Sequence, residues 1–129
     1  SSLIKQADVA LFPNRCEGGT NLVAMECVAC GIPTIISSNS GHLDLLKLGF
    51  PTLIPLQSKI GLKINFKRPE TFSMWGESDH LEIFDKLASI YSDKVIIQEL
   101  KSDLNLKYLN RISWESSFKR FFEIINDQK

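Results

Sequence analysis

Two acids, Glu17 and Glu26, are the residues of this sequence best suited to chemistry, because they lie close together among mostly small and apolar residues. Every residue of the run 22–30 except Glu26 is apolar or small. Such a run predicts a helix that is hydrophobic all round and packed inside a core. A buried carboxylate is expensive unless it is neutral, bound by donors or placed where a ligand reaches it. We therefore expect Glu26 to lie at the lip of a cleft.

The residues around this run predict where the helix begins and ends. Gly18-Gly19 supplies a permissive turn, and Thr20 or Asn21 can cap the first turn. Gly31, followed by Pro33, ends the helix. A short helix is therefore framed at both ends.

Apolar runs at 9–13 and 33–38 flank the helix and predict two strands. Strand, loop, helix and strand form a βαβ unit, which makes the two strands parallel. Ligands of open parallel sheets bind beyond the carboxyl ends of the strands. The loops 14–21 and 37–42 are therefore expected to face one crevice.

The first of these loops has the chemistry of a phosphate site. A glycine-bearing loop that leads into a helix offers unpaired backbone N–H groups and the positive end of the helix dipole. It contains neither a Walker motif nor Gly-x-Gly-x-x-Gly, which excludes a P-loop nucleotidase and a dinucleotide dehydrogenase. Taken alone, Gly18-Gly19 is also compatible with an ordinary turn.

Four stretches form a longer pattern: ADVALFPNR (7–15), EGG (17–19), LVAME (22–26) and ACGIPTIIS (29–37). This pattern resembles the C-terminal, donor-binding domain of GT-B fold glycosyltransferases of the group 1 or family 4 type. The resemblance is strong over about the first third of the chain. Farther along, the sequence is similar in layout only, including Ser113-Trp114-Glu115 at the start of a last helix.

The resemblance implies transfer of a sugar from a nucleotide-diphosphate sugar to a glycan, lipid or small-molecule acceptor, commonly with retention and without a metal or cofactor. It implies that Glu26 binds the ribose and that the catalytic-site acid Glu17 contacts the transferred sugar. The other implied donor contacts are Gly18, Gly19, Thr20, Asn21, Leu22 and Gly41. A carboxylate suits a ribose diol, and oriented N–H groups suit a departing diphosphate.

The sequence departs from the family pattern by one extra residue between Glu17 and Glu26. The loop 19–21 absorbs an insertion more cheaply than a helix does. Glu26 is therefore the firmer assignment. Glu17 is open to a second interpretation, as a solvated loop acid paired with Arg15.

The expected fold is α/β, a Rossmann-like parallel sheet with flanking helices that ends in several helices. Strands are expected at 9–13, 33–38 and 51–56, with a doubtful one at 62–66. We expect residues 1–129 to be a single partial domain, with the acceptor domain and the first part of the donor domain lying outside it. The resemblance implies that the basic residues that neutralise the diphosphate lie in that outside part, so the 129 residues alone are expected to be inactive.

Two other functions are compatible with the same residues: a non-catalytic nucleotide-sugar-binding module and a sugar-nucleotide epimerase of the same fold. Acids and bases are equal in number, 15 each, which does not favour a nucleic-acid partner. No apolar run reaches membrane-spanning length. We expect a cytoplasmic protein, with peripheral association at the cytoplasmic face of a membrane left open.

The cysteines and histidines predict no metal site. Cys27 and Cys30 form a Cys-x-x-Cys pair at the end of the helix in apolar surroundings, which raises thiol pKa values and favours buried small side chains. His42 and His80 are isolated. We expect His42 to begin a helix that is capped by Ser40.

The later sequence predicts architecture rather than chemistry. Residues 57–75 are expected to be a polar excursion, followed by a helix with a capping box of Asp79 and Glu82 and a second helix around 95–109. The last helix opens at Ser113. Its apolar stripe consists of Trp114, Phe118, Phe121, Phe122 and Ile125. We expect this stripe to be left uncovered, as an association surface.

Overall fold

A computed structural model describes residues 2–65, 69–93 and 110–127 of the chain. The elements are a 3₁₀ turn Ile4–Gln6, β1 Ala10–Phe12, α1 Leu22–Ala29, β2 Thr34–Ser37, α2 His42–Lys47, β3 Leu53–Leu56, β4 Ser58–Asn65, β5 Pro69–Ser78, α3 His80–Ser92 and α4 Trp114–Asn126. The helix expected around 95–109 lies outside the described residues.

Strands β1, β2 and β3 form one parallel sheet in that order. Leu11 pairs with Ile35, and Ile35 pairs in turn with Ile54. Each connection between these strands contains a helix, as parallel pairing requires. The expected α/β fold with a Rossmann-like parallel sheet and flanking helices is confirmed, and the three firm strands are each one or two residues shorter at their ends than expected.

The core lies on both faces of β2, which is buried along its whole length. Ile36 packs with Ala24 and Val28 of α1 and with Leu45 of α2. Its neighbour Ile35 contributes to a second cluster. That cluster also contains Leu56 and Ile90, with Ile83 and Leu87 packed against it. Because successive strand residues point to opposite faces, α1 and α2 cover one face of the sheet and α3 covers the other.

Helix α1 differs from its prediction, because it is not buried all round. Ala24, Cys27 and Val28 are buried, whereas Leu22 and Val23 are exposed. Only one side of a helix can face a flat sheet, so an apolar composition does not by itself bury the other side. The exposed face of α1 is therefore an apolar surface outside the core.

Most of the described residues of the segment 57–75, expected to be a polar excursion, instead belong to an antiparallel pair of strands, β4 and β5. In the sequence of β4, apolar residues alternate with polar or small ones at Ile60, Leu62 and Ile64, which is the period of two of a strand. The lysines of the segment concealed this pattern. The doubtful strand at 62–66 therefore belongs partly to β4, in a second sheet. Phe66 itself lies outside the described residues.

The two later helices begin as their caps predict. The Asp79 carboxylate accepts a hydrogen bond from Leu81 N, and Ser113 Oγ accepts one from Ser116 N. Glu82, expected to complete a capping box, instead accepts a bifurcated hydrogen bond from Gln57 N, with its two carboxylate oxygens at 2.9 and 3.1 Å. Glu82 thus ties α3 to the turn between β3 and β4.

The apolar stripe of α4 is uncovered, as expected. Trp114 is 89% exposed and Phe118 is 63% exposed, and Phe121, Phe122 and Ile125 are also exposed. The rings of Phe118 and Phe122 meet edge to face at 4.9 Å, within the helix itself. The stripe is therefore an apolar, largely aromatic surface open to solvent.

Candidate functional site

The loops that follow β1 and β2 contact each other at the carboxyl end of the sheet. Glu17 N donates a hydrogen bond to Ser40 Oγ at 2.7 Å, and Gly41 N donates one to Glu17 O at 3.1 Å. The two loops expected to face one crevice are thus joined through the backbone of a single residue, Glu17.

Gly41 allows this close approach. A Cβ atom at Gly41 would lie 1.7 Å from the carbonyl oxygen of Gly19, a separation that real atoms do not reach. The backbone of Gly41 has φ −62°, which any residue can adopt, so the need for glycine here is steric. By contrast, Cβ atoms at Gly18 and Gly19 would meet no atom within 4 Å. Gly18 and Gly19 therefore border open space.

The Glu17 side chain is held inside the crevice rather than in the surrounding solvent. It is 23% exposed, and its Oε2 accepts a hydrogen bond from Asn14 Nδ2 at 3.0 Å. Arg15, considered above as its partner, instead pairs with Glu77 at the end of β5. The interpretation of Glu17 as a solvated acid paired with Arg15 is therefore wrong.

Asn21 caps α1, as one of the two expected capping residues. Its Oδ1 accepts a hydrogen bond from Ala24 N at 3.1 Å, and its backbone is left-handed, with φ 52°. Thr20, the other candidate, is exposed beside it. The backbone N–H groups of Leu22 and Val23 have no acceptor among the described residues. The N-terminus of α1 therefore presents donors to the crevice.

Glu26 is exposed, so α1 does not enclose it in an apolar core, and its expected place at the lip of a cleft stays a prediction. It shares the outer face of α1 with Leu22 and Val23, because residues three and four apart lie on the same side of a helix. Within the described part of the chain, no group donates a hydrogen bond to the Glu26 carboxylate. Its position is about 6 Å along the helix axis from Leu22.

His42 is the residue that the sequence reasoning undervalued. It begins α2 as expected, but its side chain is 0% exposed. Its Nε2 lies 2.9 Å from Asn21 Nδ2 and 3.8 Å from Glu17 Oε2, and its Nδ1 lies 2.9 Å from Ser37 Oγ. Burial lowers the pKa of His42, while the backbone of Ser37 and the charge of Glu17 act to raise it.

Ser40 does not cap α2, which corrects a second expectation. The N-cap residue is Gly41, without a side-chain hydrogen bond. Ser40 has a left-handed backbone with φ 43°, and its hydroxyl donates to Asn39 Oδ1 at 2.9 Å while accepting from Glu17 N. Its hydroxyl therefore joins the two loops instead of starting the helix.

Asn39, also undervalued, ties the β4–β5 hairpin to the site. Its buried Nδ2 donates to Asn14 O at 2.9 Å and to Ser58 Oγ at 3.3 Å. Gly76 N of β5 donates to Arg15 O at 2.9 Å. The base of the hairpin is thus part of the wall around the crevice. The run of polar residues at 37–40 directly after a buried strand was the signal for such a cluster.

The buried thiol of Cys27 is unsuited to nucleophilic chemistry. Cys16, Cys27 and Cys30 are free. Burial, followed by the neighbouring Cys30 and Glu26, raises the pKa of Cys27, as the sequence predicted for an apolar helix end. The described residues contain no group of three metal-ligating side chains.

Across the described ranges, no helix has the length and apolar composition needed to cross a bilayer.

No curated protein and no solved structure matches the chain. The family model described as "Family 4 Glycosyltransferase in conflict systems" matches residues 1–121. This match confirms the family 4 part of the resemblance drawn from the loop of Glu17 and the helix of Glu26. Because it spans nearly the whole chain, the protein belongs to this family of family 4 glycosyltransferases.

Proposed function

We propose that this chain is the C-terminal, donor-binding part of a GT-B glycosyltransferase that transfers a sugar from a nucleotide-diphosphate sugar to an acceptor. The observation that carries the proposal is the joining of the two loops at Glu17, beside the N-terminus of α1. The loops meet where ligands of parallel sheets bind, and the family supplies the reaction class.

The N-terminus of α1 is the proposed place of the diphosphate. Gly18 and Gly19 leave the approach open, and the N–H groups of Leu22 and Val23 are available among the described residues. These groups stabilise negative charge together with the helix dipole. The charge that develops on the departing diphosphate would therefore be stabilised without a metal.

Glu26 is the proposed ribose contact. Its exposed carboxylate lies on the outer face of α1, about one helical turn from the phosphate position. A carboxylate accepts hydrogen bonds from both hydroxyls of a diol. The adjacent exposed Leu22 and Val23 give the nucleoside an apolar surface.

Glu17 is the proposed contact to the transferred sugar. Its Oε2 is bound by Asn14, whereas its Oε1 has no partner within the described residues. The free oxygen accepts a sugar hydroxyl, while the backbone of Glu17 is held by Ser40 and Gly41. Glu17 in this role orients the sugar for a retaining transfer.

Isothermal calorimetry with UDP-glucose, UDP-N-acetylglucosamine and GDP-mannose tests the proposal. With the donor that binds, we expect Glu26→Gln to weaken binding by about 1.5 to 3 kcal/mol, the contribution of one charged hydrogen bond. Glu123→Gln is the matched control, because Glu123 is an exposed acid on the distant element α4. Equal affinity of wild type and Glu26→Gln would remove the ribose assignment.

A further inference from the structure

The hydrogen bonds around His42 have directions that the neighbouring groups determine. Asn21 Oδ1 accepts from Ala24 N, so the amide group that faces His42 is the donor Nδ2. An NH₂ group carries no acceptor, and therefore His42 Nε2 must accept the hydrogen bond. Nε2 thus carries no proton.

The other ring nitrogen has the opposite role. Ser37 Oγ donates its proton to Asn14 O at 2.8 Å, so this hydroxyl accepts from His42 Nδ1 at 2.9 Å. Nδ1 also lies 3.2 Å from Ser37 O, a second acceptor. His42 is therefore a neutral imidazole with its proton on Nδ1.

We propose that His42 is a positioning residue of the donor crevice, whose neutral ring fixes the N-terminus of α1 and the loop of Glu17 against the end of β2. The proposal rests on the proposed function, because the groups that His42 aligns are those assigned to the donor. It extends that function by adding a residue that the donor itself does not touch.

The geometry explains why His42 is suited to this role. Through Asn21 it holds the residue that caps α1, and through Ser37 it reaches Asn14, whose side chain binds Glu17. These contacts join the two loops 14–21 and 37–42. A single buried ring therefore sets the relative positions of the proposed phosphate and sugar contacts.

Protonation of Nε2 would break this arrangement. An Nε2–H group would oppose Asn21 Nδ2, which is also a donor, and would be attracted to Glu17 Oε2, now 3.8 Å away. Glu17 is the charged group of the described residues that faces the ring, whereas Asp44 of α2 and Glu26 of α1 are exposed to solvent. A fall in pH would thus replace Asn21 by Glu17 as the hydrogen-bond partner of His42 Nε2.

The direction of the pH effect follows from burial. Burial lowers the pKa of His42 below its ordinary value of 6.5, so the unfolded chain binds its proton at a higher pH than the folded chain does. The contribution of His42 to folding is therefore complete above pH 6.5. It is lost as the pH falls from 6.5 through the pKa of the folded state.

The first experiment needs no ligand. Nitrogen-15 spectra of the imidazole rings of the full chain distinguish the two ring nitrogens by their protonation, and His80→Gln separates the two histidines of the sequence. We expect an unprotonated Nε2 and a protonated Nδ1 for His42 at pH 7.5. A proton on Nε2 at that pH would overturn the proposal.

The second experiment measures donor affinity against pH. For the donor identified among UDP-glucose, UDP-N-acetylglucosamine and GDP-mannose, we expect the wild type to lose about three- to tenfold in affinity upon protonation of His42. His42→Gln keeps an acceptor but cannot titrate, so its donor affinity should not fall on the acid side. The control His80→Gln leaves His42 intact and should show the same acid-side loss as the wild type.

The experiments distinguish a failure of the proposed function from a failure of the positioning role alone. If His42 has the expected tautomer but no donor binds at any pH, the proposed function fails, and the positioning role fails with it. If donors bind while His42→Gln retains the same acid-side loss as the wild type, only the positioning role is overturned. The spectra of the wild type remain decisive even where a variant does not fold.

Discussion

The loop end of the sheet buries polar side chains, whereas the last helix exposes aromatic ones. At the loop end, the polar side chains of Ser37, Asn39 and His42 are buried. On α4, the aromatic side chains of Trp114 and Phe118 lie in solvent. Polar side chains are usually exposed and large apolar ones usually buried, so the loop end and α4 depart from the usual distribution in opposite ways.

The difference shows what each region depends on. Buried polar groups are tolerated when they are hydrogen-bonded, and Ser37, Asn39 and His42 all have partners. The aromatic surface of α4 has no such internal compensation, and surfaces of this kind mark association or aggregation sites. The loop end is thus organised from within the described structure, whereas α4 presents an open surface.

The largest expected effect contrasts a core residue with an α4 residue. Ile36→Ala should lower the free energy of unfolding by about 3 to 4 kcal/mol, because it leaves a cavity between β2, α1 and α2. Phe118→Ala should change it by less than about 0.5 kcal/mol, since Phe118 is exposed. Urea unfolding of both variants measures this contrast. An equal loss of unfolding free energy in the two variants would show that the stripe of α4 is covered in solution.

Gly41→Ala tests the contact between the loops. The new Cβ would meet the carbonyl of Gly19, and because backbone must move, we expect a loss of about 3 kcal/mol. Gly18→Ala, where the added atom meets open space, is the control for thermal or urea unfolding. Similar stability of the two variants would contradict the close packing of the loops.

The helix caps of the two regions provide a third test. Asn21→Ala should cost about 2 kcal/mol, because it removes the cap of α1, strains a left-handed backbone and leaves His42 Nε2 without its hydrogen-bond donor. Ser113→Ala removes only the cap of α4 and should cost about 1 kcal/mol. Unfolding free energies that reverse this order would show that the Asn21–His42 contact does not stabilise the fold.

The smallest effect is expected at the ion pair between Arg15 and Glu77. Both side chains are more than half exposed, so solvent screens the pair. Arg15→Ala should change the unfolding free energy by about 1 kcal/mol or less. A larger loss would mean that the hairpin is anchored mainly through this pair, rather than through Gly76 and Asn39.

The unit from β1 to β2 could be predicted from the sequence because its signals are local. Apolar runs indicated the strands, Thr20 or Asn21 was expected to cap α1, and Gly31 indicated its end. Which side of α1 faces the sheet could not be predicted, because nearly all of its residues are apolar. The helix was for that reason expected to be buried all round, whereas Leu22, Val23 and Glu26 are found exposed.

The role of His42 could not be predicted for a different reason. Its partners, Asn21 and Ser37, lie in separate segments, and no spacing along the chain indicates that they converge on one ring. The hairpin was missed because its polar composition concealed an alternating pattern. Local patterns thus predicted the elements of the site, whereas its hydrogen-bond network depends on how those elements pack.

The most direct test of the donor crevice is a backbone amide spectrum of the full chain with and without a saturating nucleotide-diphosphate sugar. We expect the amides of 17–22 and 40–42 to shift, because both loops border the proposed site. The amides of α4 should stay unchanged. Shifts confined to α4, or no shift with any of the three donors, would contradict the assignment of the crevice.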